Sequence, residues 1–376
     1  MKKLMIIFAV LIFFCLPAKA QDVNEILDQQ YKDSGADEIN REVPNNIQDE
    51  LNKYAGKTTT PQNIGDALNF DNFVKFVTEK FFSIFKTESS LMLTILAIII
   101  LNMLFESLYN SYSIKNLDNI TNAVIIMCLI LAISVSLFGS VKASADAIKQ
   151  MAIFGRALIP VMCGLMITSG QPVSAGTYNT FLFLACQVCA YIGESVILPL
   201  VNIYFASIIC EGIITNVKLK SFTEFIKKLI NWGMGILFTV FIGIMTLQSV
   251  ISGAADTVAK RAVKFAVGAL MPIAGGVLGD AMDSVFSCAN TAKSLTGVFG
   301  IVTIVFIIIT PLLSVVSKFL VLQICSWASE ALGGKRLASF LSNTASAFSI
   351  LISLTLGTSI MLIASFTLLL LTGVPK

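Results

Sequence analysis

The chain has 376 residues, of which 56% are hydrophobic and only 13% charged, with a formal net charge of +3. Soluble domains carry about 25% charged residues, so this chain has too little charge to clothe a water-soluble globule, and its mean hydropathy of +0.82 agrees. Whole-chain readings as a soluble enzyme, a nucleic-acid binder or a disordered polymer are excluded. There is no histidine, which removes the commonest general base and metal ligand. A Ser-His-Asp or Cys-His site cannot be built within such a chain. The composition predicts an all-α, polytopic membrane protein.

In chain order, residues 1–20 read as a secretory signal peptide. Lys2 and Lys3 form a basic start, and residues 4–16 form an apolar core too short to cross about 30 Å of hydrocarbon. Pro17-Ala18-Lys19-Ala20 then supplies a small-residue cleavage signal. Cutting after Ala20 predicts a mature N-terminus outside the cytoplasm. Residues 21–69 form a polar, acidic exported segment; residues 21–90 together hold 13 Asp/Glu against 7 Lys/Arg. Its apolar residues come in small helical sets, Val23, Ile26 and Leu27, then Ile47, Leu51 and Tyr54. The expectation is a loose tail, with docking on a partner as the alternative.

Residues 70–90 predict an amphipathic helix lying in the membrane interface, with packing on the bundle as the alternative. Phe70, Phe73, Val74, Val77, Phe81 and Phe85 share one face, and Asp71, Lys75, Glu79, Lys80 and Lys86 fall elsewhere. Residues 91–376 make up the membrane domain. Spans are predicted at 91–109, 121–141, 231–252 and 344–371. The apolar regions 177–215 and 295–328 each fit two short helices or one helix broken at Pro199 or Pro311. The stretches 157–170 and 268–279 hold a proline and glycines, are too short to span, and read as re-entrant. About seven or eight spans are expected, with further amphipathic stretches at 142–156, 220–229 and 254–267.

The second half resembles the first. Ala157-Leu158-Ile159-Pro160 with Gly164 matches Ala269-Leu270-Met271-Pro272 with Gly276 at an offset of 112, and Pro199-Leu200 matches Pro311-Leu312 at the same offset. Repeat-like halves are therefore placed at about 121–230 and 231–342, before the final span at 344–371. Whether they are parallel or inverted depends on the parity of crossings between them, which the charge pattern leaves open.

Chemistry-bearing residues are few. Cys186-Gln187-Val188-Cys189 is a C-x-x-C, but in an apolar run thiols behave as small hydrophobes. Glu106, Glu194, Glu211, Asp280, Asp283, Lys293, Lys318 and Glu330 lie in or near apolar segments, where ionisable groups are costly and line a pathway or an ion pair. Asp280 and Asp283, one turn apart, follow Gly275, Gly276 and Gly279; the plainer reading is a charged loop at a helix end. Asp256, Pro272, Gly275, Gly276, Gly279, Asp280, Asp283, Pro160 and Gly164 are the candidate pathway or packing residues. No catalytic, cofactor-binding or metal-binding set is predicted, and no cofactor. The sequence holds no G-x-x-x-x-G-K-[ST] pattern, so energy from a nucleotide would have to come from a partner. The close Gly and Ala spacings suit association with other chains, further copies included.

One stretch carries a family resemblance. Ser252-Gly253-Ala254-Ala255-Asp256, Arg261-Ala262-Val263-Lys264-Phe265, Gly268-Ala269-Leu270-Met271-Pro272, Gly276 and Asp280 to Asp283 resemble the stage III sporulation protein AE family. The leader, the acidic exported segment, the Phe-rich helix and the order of spans fit as well, over roughly residues 70–370. The resemblance implies a protein of the mother-cell membrane around the engulfed forespore. It implies partners too: a secretion-type ATPase and other membrane and ring-forming proteins of one transenvelope channel, with the lipid bilayer around it and no nucleic acid. In that assembly the chain is expected to be a non-enzymatic membrane core component. A secondary transporter with a substrate site between the halves is the alternative; an intramembrane protease is disfavoured.

Overall fold

The computed structural model describes residues 23–36, 38–56, 58–67, 69–112, 117–213, 220–270 and 275–371. The signal peptide lies outside the described residues, as do residues 271–274 with Pro272, part of the stretch 268–279 read as re-entrant. Among the described residues all regular structure is helical. Short helices α1 (Val23–Ser34), α2 (Asn45–Ala55) and α3 (Ile64–Ala67) precede the long ones. These are α4 (Phe70–Tyr112), α5 (Leu117–Thr168), α6 (Pro172–Ile192), α7 (Leu198–Ile213), α8 (Lys220–Leu270), α9 (Gly275–Ala331) and α10 (Lys335–Leu371). Six helical stretches are long and apolar enough to cross a membrane, α6 and α7 counting as one.

The turns follow local chemistry. Gly35, Gly170 and Gly333 all have positive φ, a conformation glycine adopts without a Cβ penalty. Each closes a helix with the same pair of bonds, for example Gly170 N to Ile167 O at 3.0 Å and Gln171 N to Met166 O at 2.8 Å. This double bond satisfies carbonyls that the helix end would leave orphaned. Pro172 then starts α6, where its missing N–H costs nothing.

Side-chain contacts set the helix directions. Met151 of α5 meets Ser359 of α10, and Ile126 and Phe340 both border Gly212, so α5 and α10 run together. Lys227 and Phe238 of α8 meet Ser346 and Gly357 of α10, in the same sense. Helix α9 runs against α5, with Leu158 on Gly300 and Ser140 on Lys318. Helix α4 runs with α9, since Phe76 stacks on Phe306 and Glu88 pairs with Lys318. The α6–α7 rod runs against α5, with Cys186 at Gly155 and Phe205 at Phe138. Helix α9 is the central element, touching α1 to α5, α8 and α10.

Several expectations are corrected. Residues 157–168 are the last turns of a continuous α5, not a re-entrant element, and Pro160 sits inside that helix. Pro311 likewise sits inside α9 without breaking it. Packing by α4, α5 and α10 holds the helix across the missing hydrogen bond. The region 177–215 does break: a π-turn at Gly193–Ile197 joins α6 to α7 just before Pro199. Proline and π-turns are recognised causes of helix bending. No separate helix ends at residue 90, because α4 is unbroken from Phe70 to Tyr112. Its Phe73 and Phe76 pack on Phe306 and Tyr54. Gly275 opens α9, so the backbone around Gly275, Gly276, Gly279, Asp280 and Asp283 is helical rather than a loop.

The N-terminal segment is not a loose tail. Tyr31, Ile39, Val43, Ile47, Leu51 and Ile64 are all buried, and α1, α2 and α3 rest on α9, with α1 also on α5. Leu27, Ile47, Leu51 and Tyr54, read from the sequence as apolar sets, are thus turned onto the bundle of the same chain.

Candidate functional site

A buried polar cluster surrounds the start of α6. The turn Ser169-Gly170-Gln171 is buried at its first and last residues. Val173 N and Ser174 N, the second and third residues of α6, have no partner within the helix. Both donate to Asp256 of α8, at 2.8 Å to Oδ1 and 3.0 Å to Oδ2. A carboxylate there also complements the positive end of the helix dipole. Asp256 is only 3% exposed; two charge-assisted bonds offset the desolvation of its charge.

Helix α9 adds the next layer. Lys293, 1% exposed, donates from Nζ to Gln171 Oε1 at 3.1 Å. Gln171 Nε2 donates in turn to Asn290 Oδ1 at 3.2 Å. One turn therefore ties α5, α6, α8 and α9 together through side chains that cannot shed their polarity. Gln171, Asn290 and Asp256 each engage a donor here, and the arrangement holds the helices in position.

A second polar node lies 25 residues further along α9, about 38 Å away at 1.5 Å per residue. Lys318 pairs with Glu88 of α4 at 3.4 Å, both largely buried. Its Nζ also donates to Ser140 Oγ at 3.0 Å and Ser314 Oγ at 3.1 Å. Nearby, Lys80 of α4 meets Glu50 of α2 at 2.6 Å, and Thr310 Oγ1 donates to the other oxygen of Glu50 at 3.3 Å. The N-terminal segment is thereby fastened to α4 and α9 by a charge pair as well as by its apolar face.

At the far end of the α6–α7 rod, Arg336 donates to the carbonyls of Gly212 at 3.0 Å and Ile213 at 3.4 Å. A cation at the C-terminal end is again matched to the dipole. The rod is thus closed at one end by an acid from α8 and at the other by a base from α10.

The candidate residues from the sequence separate on this map. Asp256 stands in the node. Gly164 lies under α1: a Cβ there would stand 3.6 Å from Ser34 Cβ. Pro160 faces outward. Pro272 lies outside the described residues, and Gly275, Gly276, Gly279, Asp280 and Asp283 are placed only as the helical backbone of early α9. Of the other intramembrane charges, Lys293 and Lys318 are held in the two nodes, whereas Glu194 and Glu330 are exposed. Cys186 is buried with its sulfur 2.9 Å from where a Cβ on Gly155 would stand, a packing position. Among the described residues no group of three or more Cys, Asp or Glu side chains could hold a metal ion. Sequence reasoning missed Gln171, Asn290, Arg336 and the Glu50–Lys80 pair. Only Pro172, marking a helix start after a glycine, hinted at an amide pair needing a cap.

Comparison with known proteins bears on the whole bundle. A family model described as stage III sporulation protein AE matches residues 59–373. The stage III sporulation protein AE of Bacillus subtilis (strain 168) is 22% identical over 241 residues, covering 64% of this chain. The match spans 60% of that curated relative's length. No solved structure matches.

Proposed function

Because the chain belongs to the stage III sporulation protein AE family, we propose that it is the membrane core component of a channel assembly between mother cell and forespore. Its role is in sporulation; the channel is needed for forespore development after engulfment. The protein crosses the mother-cell membrane several times, with its N-terminal segment on the extracytoplasmic side. Ring-forming and membrane proteins of the same assembly surround it. A partner ATPase supplies any nucleotide energy, since the chain has no phosphate-binding loop pattern of its own.

The observation that carries this reading is the extent of the family match, which takes in α4 to α10 entirely. The length of the bundle supports it. Candidate spans of 46 and 48 residues reach about 70 Å at 1.5 Å per residue, more than twice the hydrocarbon thickness of about 30 Å. Such a bundle extends beyond its bilayer and offers surface to other components. The directions of α5 and α8, and of the α6–α7 rod and α9, favour parallel halves for the internal repeat.

Purification of the tagged full-length chain from sporulating membranes tests the assembly. Co-purification of an ATPase and ring-forming partners is expected. Recovery of the chain alone, with a cellular defect in uptake of one nutrient, would favour the transporter.

A further inference from the structure

The chain from α1 to α3 forms a layer one helix thick on the long bundle. One face holds Tyr31, Ile39, Val43, Ile47, Leu51 and Ile64, all buried. It lies on α9, with α1 also on α5. The other face turns Asp28, Lys32, Asp33, Glu42, Asp49 and Lys53 outward. The connection from α2 to α3 is tied within the layer. Thr59 N donates to Asn52 Oδ1 at 2.8 Å, Thr60 N to Asn63 Oδ1 at 2.9 Å, and Asn63 Nδ2 to the Thr58 carbonyl at 2.8 Å. These bonds need nothing from the long helices.

The seat beneath the layer fits it imperfectly. Gln30 Oε1, Tyr31 OH and Asn40 Oδ1 are buried without a hydrogen-bond partner among the described residues. A buried polar group left unpaired carries its full desolvation cost, and contact with water removes that cost. Where the layer meets the start of α4, a groove of about 410 Å³ opens between Tyr54, Phe70 and Phe73 on one side and Ile301, Val305 and Phe306 on the other. Gaps of this kind forfeit the close contacts that hold packed helices together.

The polar attachments are local. Glu50 meets Lys80 and Thr310. Tyr54 OH donates to Asn69 O at 2.8 Å and accepts from Asn69 N at 3.1 Å. Asn69 Oδ1 in turn caps α4, accepting from Asp71 N at 3.0 Å. Asn69 is therefore the joint between the layer and α4.

We propose that α1, α2 and α3 form a strap that lifts from the bundle as one unit, pivoting at Asn69 and uncovering the face of α9 from Leu295, beneath Gly65, to Phe306. Proteins open in cooperative units of unequal stability, and the weakest open first. The apolar row holds the strap shut; the unpaired atoms and the groove set how often it opens. Release follows from the docking contacts and does not depend on the channel role.

A Cβ on Gly164 would stand 3.6 Å from Ser34 Cβ, within the spacing of about 3.5–4.5 Å that a disulfide needs. The full chain carrying Ser34→Cys and Gly164→Cys, held in lipid nanodiscs, is followed by hydrogen–deuterium exchange before and after oxidation. Before oxidation, α1 and α2 are expected to share one rate, about tenfold or more faster than residues 299–306 of α9. After oxidation, α2 is expected to slow by about tenfold although the cross-link sits on α1. An α2 rate indifferent to the cross-link would overturn the single unit in favour of helices that fray separately. Protection of both helices equal to that of α9 before oxidation would overturn release altogether. In the otherwise unaltered chain, Tyr31→Phe removes an unpaired hydroxyl and is expected to slow exchange of both helices several-fold. Unchanged or faster exchange there would overturn the imperfect seat and the strap with it.

Discussion

Asp256 Oδ1 lies 2.8 Å from Val173 N, 83 residues earlier, so a side chain on α8 caps the start of α6. The second carboxylate oxygen takes the next amide, that of Ser174. The internal cap, the buried Gln171 and Lys293 together fix where α6 starts. Asp256→Ala leaves two buried amides without acceptors and is expected to cost about 2–3 kcal/mol. Asp256→Asn keeps one acceptor and should cost about half as much. Thermal unfolding of the purified protein in detergent, followed by circular dichroism, distinguishes them; equal losses would contradict the cap.

The contact between α8 and α10 depends on a missing side chain. A Cβ on Gly357 would overlap the ring of Phe238. Gly357→Ala is expected to destabilise by about 1–3 kcal/mol, as overpacking does. Phe238→Leu should suppress most of that loss when the two changes are combined. The double-mutant cycle in the same unfolding assay measures the coupling, and simple additivity would refute the contact.

The N-terminal segment is predicted to be protease-resistant while docked. Gly164→Ala should leave it so, because the new methyl meets Ser34 at ordinary contact distance, 3.6 Å. Gly164→Leu has no such room and should release α1. Glu50→Ala removes the partner of Lys80 and Thr310 and should weaken docking by about 1 kcal/mol. Limited proteolysis near the exposed Gly56 turn reads both effects, and equal cleavage of all three variants would contradict this docking.

Tyr31 makes the docking sensitive to alkali. Burial, with a smaller contribution from Asp28, pushes its phenol from 10 up to about 12. The native state therefore favours the protonated phenol. That contribution is fully present below pH 10 and is lost as pH rises through about 12. Tyr31→Phe should keep the segment docked at neutral pH, since the hydroxyl has no hydrogen-bond partner, and should move its release to higher pH. Proteolysis across an alkaline series checks this; identical release in the two proteins would contradict it.

Much of the bundle was legible from periodicity and composition. Apolar runs carry the membrane-spanning character, because burial in lipid needs composition alone. Pro160 and Pro311 misled, because tertiary packing carries a helix across a proline that propensity alone would break. The 70–90 stretch reads as amphipathic, with an interface or the bundle as its partner; Phe73 and Phe76 meet Phe306, more than 200 residues away, a pairing no local pattern encodes. The same holds for Asp256, legible as a charged residue beside a span but not as a cap. Lys293 and Lys318 were visible as costly buried charges, while Gln171, Asn290 and Glu88 became visible only once the helices were side by side.

The central claim, a core component of a channel needed by the engulfed forespore, is tested most directly in the spore-forming host. The gene is deleted in frame and replaced by a fluorescently tagged copy or by nothing, and cells are imaged through spore formation. The account predicts arrest after engulfment without the gene, and a tagged protein concentrated in the membrane around the forespore. Normal spores from the deletion strain, or a tagged protein spread evenly over the cell membrane, would contradict it.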